Sequence, residues 1–333
     1  MTVKLAINGF GRIGRCVLRS WIEAQRDDVE IVAINDLAPI ETSAHLLQFD
    51  SVHGAIRADV SLDKDVMTVD GKSVRITSER NPEALPWQDV DVALECTGIF
   101  TGRDTAGRHL ENGSDKVLIS APGKESDKTI VYGVNHDALT ADDRIVSNAS
   151  CTTNCLSPIA KVLDDSFSIQ TGYMTTIHSY TGDQPSLDTA HKDLYRARAA
   201  ALSMIPTSTG AARAVGLVLP HLAGKLDGSA IRVPTPNVSA VDLCVMLNKE
   251  VDVDGVHSAM EAASNGALKG ILTMNHLPLV SADFNHTTAS SIFAADQTRI
   301  TDGGMVRVLG WYDNEWGFSN RMLDTALAMA HAA

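Results

Sequence analysis

From residue 3 onward, short apolar runs alternate with amphipathic stretches. Residues 3–8, 30–35, 92–95, 116–119 and 130–132 are apolar runs of strand length, while 12–24, 43–48 and 105–112 carry apolar positions at helical spacing. This alternation predicts a parallel α/β sheet whose strands are joined by returning helices. Past residue 172 the texture changes. Runs rich in β-branched residues at 173–177, 229–233, 238–248, 290–294 and 305–310 outnumber the helical stretches at 208–219 and 254–263. They predict an α+β domain on a mainly antiparallel or mixed sheet. Residues 179–204, with Lys192, Arg196 and Arg198, form a polar, basic, extended loop, and 321–332 an apolar closing helix. The expected division is a first domain over 1–149, joined by a C-terminal helix over 316–333, and a second over 150–315.

Length supports two domains, because 333 residues exceed the size at which single cores stop growing. No apolar run approaches the roughly eighteen residues that a membrane span needs. The strand pattern begins at once, with no signal peptide expected before it, and a cytoplasmic location is expected. The five cysteines (16, 96, 151, 155 and 244) are odd in number and form no CxxC pair. That argues against a disulfide framework or a metal site, and for a reducing compartment. The net charge of −13 opposes general nucleic-acid affinity while leaving room for a local basic pocket.

Chemistry enters first at Gly9-Phe10-Gly11-Arg12-Ile13-Gly14, a GxGxxG set between a predicted strand and a predicted helix. A second strand ends at Asp36, about twenty residues past the last glycine. Glycines permit the tight turn and let a pyrophosphate approach the helix N-terminus, and the acid accepts hydrogen bonds from a ribose. These features predict a Rossmann-type dinucleotide-binding domain. Asp36 favours NAD, since a carboxylate repels the 2′-phosphate of NADP.

The second chemical signal is Ser150-Cys151, followed by Leu156, Ile159, Val162 and Leu163 at helical spacing. A thiol at a helix N-terminus, behind a Ser N-cap, loses its proton more readily. Flanking Ser, Thr and Asn residues favour a reactive thiol over a buried apolar one. Cys155, one turn deeper, reads as packing. His178, expected where strand 173–177 meets the polar loop, would pair with Cys151 as imidazolium and serve as general base. Anion seats are suggested by Ser208-Thr209-Gly210 at a helix start, by Arg232 within a strand, and by Thr181, Arg196 and Arg198.

Taken in order, these segments resemble the phosphorylating glyceraldehyde-3-phosphate dehydrogenases across essentially the whole chain. The match runs from residues 7–15 through 150–155, 178–181, 206–212 and 232–238 to Trp311-Tyr312-Asp313-Asn314-Glu315-Trp316-Gly317. The resemblance implies Cys151 as nucleophile and His178 as base. It implies substrate and inorganic phosphate contacts at Ser150, Thr152, Thr181, Arg196, Thr209, Gly210 and Arg232. Cofactor contacts fall on the glycine turn with Arg12 and Ile13, and on Asp36, Arg80, Ser120 and Asn314. The activity implied is reversible oxidation of D-glyceraldehyde 3-phosphate to 1,3-bisphosphoglycerate through a cysteine thioester, a step of glycolysis and gluconeogenesis. A homotetramer is implied too, with loop 179–204 helping to build the cofactor site across a subunit contact.

The chain also departs from the family pattern. Thr189-Ala190 stands where NAD-restricted relatives carry Leu-Pro, so NADP is expected as a weaker cofactor. Phe318 replaces the usual Tyr, and the wording of 281–286 and 316–324 leans towards the erythrose-4-phosphate dehydrogenase branch. That branch usually alters the segments matching Tyr180-Thr181 and 208–212, which are intact here, so glyceraldehyde 3-phosphate stays first. A non-catalytic NAD-binding interaction protein is the rival of another class. It would need neither Cys151 nor His178.

Overall fold

The computed structural model describes residues 2–333, which fall into two compact units: the chain up to Ser150 together with Ser319–Ala333, and Cys151–Phe318. Among the described residues the first unit is built on a nine-stranded sheet. Strands Lys72–Thr77, Val29–Asn35, Val3–Asn8, Val92–Glu95, Lys116–Ile119, Ile145–Ser147 and Lys128–Thr129 lie side by side in that order, all parallel. The sheet is thus α/β as expected, but mixed rather than purely parallel. Val60–Asp63 and Val66–Val69 add an antiparallel edge, through a hairpin whose Asp70 and Gly71 take positive φ of 51° and 78°.

Val29–Asn35 and Val92–Glu95 flank Val3–Asn8 on opposite sides. The strand order therefore reverses at Val3–Asn8, and a crevice at such a switch point is where ligands bind in open α/β sheets. Helix Arg12–Glu23 leaves that point and buries Cys16, Val17, Leu18 and Ile22. The C-terminal helix spans Trp316–His331, and from Ser319 onward it belongs to the first unit. There Thr325 Oγ1 donates to Asn148 Oδ1 at 2.8 Å, and Lys116 Nζ donates to the Met329 carbonyl at 2.6 Å.

The second unit carries an eight-stranded mixed sheet, in line with the expected α+β layout. Its long strand Ile169–Ser179 pairs parallel with Leu226–Val233 and antiparallel with Ser239–Leu247, which pairs in turn with Met305–Tyr312. Helix Cys151–Phe167 buries Cys155, Leu156, Ile159, Ala160 and Leu163. Residues 180–204 contain turns and bends but no helix or strand, and expose Leu187, Leu194, Tyr195, Leu202 and Met204. Among the described residues, no helix is long and apolar enough to cross a membrane.

Several local expectations are corrected. Residues 130–132 are not a strand: the ladder stops at Thr129, where Asn135 accepts from the Val131 amide and donates to the Thr129 carbonyl, folding the chain into a turn. The helix expected over 105–112 is two short ones, Arg103–Ala106 and Arg108–Glu111, interrupted at Gly107. The helix expected from 208 begins at Ala211, because Ile205–Ser208 pairs with Leu226–Val233 as a strand. The strand expected over 173–177 runs on to Ser179, so His178 stands inside the ladder rather than beyond its end.

Candidate active site

In the first unit, a cavity of about 370 Å³ opens at the switch point. Asn8, Gly9, Gly11, Asn35, Asp36, Glu79, Arg80, Cys96 and Thr97 line it, with Leu37, Ile99 and Phe100 as its apolar walls. The glycine turn is sterically required. Gly9 has φ +93°, and a Cβ there would stand 2.7 Å from the Thr97 nitrogen, while a Cβ on Gly14 would stand 2.2 Å from the Gly9 carbonyl oxygen. Gly11 is different: a Cβ on it would meet open space, so the bare backbone at the helix start faces the cradle.

Asp36 is held in place by its own chain. Its Oδ2 accepts from the Phe10 amide at 2.6 Å and its Oδ1 from the Ala38 amide at 2.8 Å. Arg12 pairs with Asp50 at 2.5 Å, Ile13 is partly buried in the first turn of the helix, and Ser120 follows strand Lys116–Ile119. Arg12, Ile13, Gly14 and Ser120 lie outside the cavity's lining. A glycine cradle, an acid about twenty residues on and apolar walls together fit a dinucleotide's adenosine end.

In the second unit, Cys151 is the first residue of its helix. Its Sγ lies 3.5 Å from His178 Nε2. Register explains the next neighbour: His178 stands opposite Arg232 on the adjacent parallel strand, and Arg232 Nη1 approaches His178 Nδ1 to 2.7 Å. The Ser179 carbonyl lies 2.7 Å from Nδ1 and accepts from Arg232 Nη1 at 2.9 Å. A guanidinium only donates, so Arg232 and an Nδ1–H compete for the same position. Burial, and then the like charge of Arg232, push His178 down to about 3. Burial also holds the Cys151 thiol above its ordinary value, against the pull of Arg232 and Thr152. Burial thus disfavours the charge on both members of the expected thiolate–imidazolium pair, and Arg232 further disfavours it on His178 while favouring it on Cys151.

The anion-binding candidates converge in part. Arg196 Nη1 donates to Asp183 Oδ2 at 2.9 Å, and the Thr181 hydroxyl donates to Asp183 Oδ1. Burial works against the charge on Asp183, yet Thr181, Arg232 and Arg196 together hold its carboxyl below the usual range. Three residues singled out for phosphate therefore face one carboxylate. Thr209 and Gly210 stand at the start of helix Ala211–Val218, where Thr209 Oγ1 accepts from the Ala211 amide at 3.1 Å. Thr152 shares a hydrogen bond of 2.8 Å with the Tyr312 hydroxyl, which also meets Thr176 at 3.0 Å. Asn314 Oδ1 accepts from Ser179 and Ser239 at 2.8 and 2.9 Å, turning its amide nitrogen away from both serines. Cys155 is fully buried against Ser291 and Gly310, a packing cysteine as its depth in the helix predicts.

Sequence reasoning missed Tyr312, Asp183 and Ser239. Tyr312 lay in plain view within the Trp311–Gly317 motif. Its ring edge meets the His178 ring at 5.9 Å and 80°.

A glycine-turn cavity at a switch point and a thiol–imidazole pair at a helix start mark a class: a dinucleotide-dependent oxidoreductase with a cysteine set beside a histidine. The comparisons with known proteins narrow it. Residues 3–103 match the NAD binding domain of glyceraldehyde 3-phosphate dehydrogenase, and residues 150–314 match its C-terminal domain. The chain is similar to glyceraldehyde-3-phosphate dehydrogenases of Cereibacter sphaeroides (64% identity over 329 residues) and Xanthobacter flavus (61% over 331), in each case covering 99% of both chains. A chromosomal relative from Cupriavidus necator is 57% identical over 336 residues, covering both chains in full. The chain belongs to the glyceraldehyde-3-phosphate dehydrogenase family, and its cofactor is NAD.

Proposed function

We propose that the chain oxidises D-glyceraldehyde 3-phosphate with NAD and inorganic phosphate to 1,3-bisphosphoglycerate, through a thioester on Cys151. The observation that carries this reading is the contiguous row Cys151–His178–Arg232, which sets a nucleophile, a base and an anion receptor side by side. Asp36, Arg80 and the glycine turn would hold NAD, and Arg12, Ile13, Ser120 and Asn314 are the further residues assigned to the cofactor. The chemistry NAD supplies when bound is hydride acceptance.

The residues act as follows. For His178 Nε2 to take the thiol proton, Nδ1 must carry its own and donate it to the Ser179 carbonyl. Arg232 obstructs that arrangement while it donates to Nδ1. A phosphate that pairs with Arg232 draws the guanidinium away, so that the ring proton can shift from Nε2 to Nδ1 and be donated to the Ser179 carbonyl, which leaves Nε2 as acceptor towards Cys151. The phosphorylated substrate thus arms its own base. The thiolate adds to the aldehyde carbon as a hemithioacetal. After oxidation, the thioester is attacked by inorganic phosphate and the acyl phosphate leaves Cys151 as thiolate. Thr181 and Arg196 form an anion seat for which Asp183 competes; Ser150, Thr152, Thr209 and Gly210 complete the two phosphate sites.

Asp36 makes NAD the better cofactor, while Thr189 and Ala190 leave a weaker NADP activity. Residues 1–149 with helix 316–333 would form the NAD-binding domain, and residues 150–315 the catalytic domain. Exposed Leu187, Leu194, Tyr195, Leu202 and Met204 on one loop favour burial against further copies of the chain, as in a homotetramer. The cytoplasm is the expected setting. The test is an assay of two aldehydes, glyceraldehyde 3-phosphate and erythrose 4-phosphate, with NAD and with NADP, with and without inorganic phosphate. Phosphate-dependent NAD reduction with the triose as better substrate is expected; a higher kcat/KM for the tetrose would overturn the substrate assignment.

A further inference from the structure

Beneath the cofactor cavity lies a polar cluster that the chemistry above does not use. Asn35, Asn8 and Glu95 end three adjacent parallel strands at the same level, paired Asn8 with Asn35 and Asn8 with Glu95, and all three are buried. Asn35 donates to Asn8 Oδ1 at 2.8 Å, and Asn8 donates to Glu95 Oε2 at 2.7 Å. Glu95 Oε1 accepts from both the amide and the hydroxyl of Thr97. Its Oε2 also meets His109 Nε2 at 2.9 Å.

His109 is wholly buried, stacked on Trp87 at 5.4 Å and 7°, and its Nδ1 has no partner, which assigns the proton to Nε2. Every partner of the carboxylate is therefore a donor. Burying a carboxylate is costly, and apolar packing would fill the same space at less cost. What the carboxylate does here is directional: it fixes Asn8 and Thr97, both of which line the cavity, and the Thr97 backbone is the surface on which Gly9 closes. Neither Glu95 nor His109 lines the cavity itself.

We propose that the buried Glu95–His109 pair is a positioning device for the cofactor, holding Asn8 and Thr97 in the cavity wall and so setting NAD affinity without touching NAD. The inference rests on the cavity being the NAD site. The test is calorimetric titration of the full-length protein with NAD and with ADP-ribose, together with steady-state kinetics. His109→Phe keeps a ring over Trp87 and removes the donor, whereas His109→Gln restores an N–H towards Glu95. His109→Phe should bind NAD and ADP-ribose about tenfold more weakly, because Glu95 Oε2 then keeps Asn8 as its one donor and the carboxylate no longer fixes Asn8 and Thr97 in the cavity wall. His109→Gln should recover most of that loss. The kcat at saturating NAD and the KM for the aldehyde should stay at wild-type values in both. Should His109→Phe fail to fold, Glu95→Gln takes its place with the same expected weakening, because no orientation of an amide accepts from four donors. NAD affinity unchanged in the variants would mean that the pair only stabilises the fold. Equal losses in Phe and Gln, or a parallel fall in kcat, would likewise overturn the proposal. Absence of NAD binding in the wild type would overturn the cofactor reading along with it.

Discussion

The two functional regions of this chain are organised on opposite principles. In the first unit the cavity is preorganised. Asp36 is tied to two backbone amides, the glycine turn is locked by contacts that no side chain would permit, and the polar row beneath it is linked from Asn35 to His109. In the second unit the functional side chains are engaged with one another: Arg232 with His178, and Arg196 and Thr181 with Asp183. A preorganised cavity recognises a cofactor by shape. Internally paired groups give up their partners to a stronger anion, so binding at the second region also changes its chemistry.

Substitutions in the second unit should have the largest effects. Cys151→Ser should lose nearly all turnover while NAD binding in the first unit is unchanged by calorimetry, since a serine lacks the thiol's acidity and gives an ester in place of a thioester. Turnover retained within about tenfold of wild type, little more than 1 kcal/mol of barrier, would remove Cys151 from the mechanism. Loss of NAD binding in the same variant would dissolve the separation between the two regions.

His178→Asn should lower turnover by roughly 10²–10⁴-fold, the usual worth of a general base. It has a second consequence, for stability. Burial and Arg232 hold His178 at about 3 in the fold, below its ordinary value of 6.5, so the unfolded chain binds a proton in that window which the folded chain refuses. Stability therefore falls as pH drops from about 6.5 towards 3, by up to ~1.4 kcal/mol per pH unit from this group. Urea denaturation between about pH 6 and 4 should show a shallower decline in His178→Asn than in wild type. Parallel declines would mean that His178 protonates freely in the fold.

Arg232→Ala should raise the KM for the phosphorylated aldehyde, a lost charged hydrogen bond being worth about 1.5–3 kcal/mol. Unchanged KM values for both aldehyde and inorganic phosphate would make Arg232 structural. The smallest effect expected is in cofactor choice. With Asp36 in place, kcat/KM for NAD should exceed that for NADP by at least about tenfold, or ~1.4 kcal/mol. Thr189→Leu with Ala190→Pro should widen the gap and Asp36→Gly should narrow it. Equal efficiency with the two cofactors in the unmutated protein would show that Asp36 does not dominate.

The parts of the molecule legible in the sequence are those whose chemistry is local. Residues 5–7, 92–94 and 117–119 are buried throughout, so they stand out as short apolar runs. Val60–Asp63 is largely exposed and has no such run, although Asp70-Gly71 beyond it is a hairpin signal that was there to be read. The glycine turn and the helix-start cysteine are likewise local patterns. The contact between Arg232 and His178 is not, because it depends on the register of strands 54 residues apart in sequence. The same holds for the surroundings of the pair: the burial of His178 and the guanidinium beside it, which lower its affinity for a proton, come from the packing of distant segments. Glu95 and His109 gave no signal beyond their places in a strand and a helix.

An anion on Arg232 should release His178 to act as a base towards Cys151. The direct measurement is the alkylation rate of Cys151 by neutral iodoacetamide across pH, with and without inorganic phosphate, in wild type and in Arg232→Gln. In wild type, phosphate should shift the rate profile towards lower pH by about one unit, which is about tenfold faster alkylation near neutrality. Arg232→Gln should show no such shift. A wild-type profile that phosphate leaves in place, or moves to higher pH, would mean that an anion on Arg232 does not release His178.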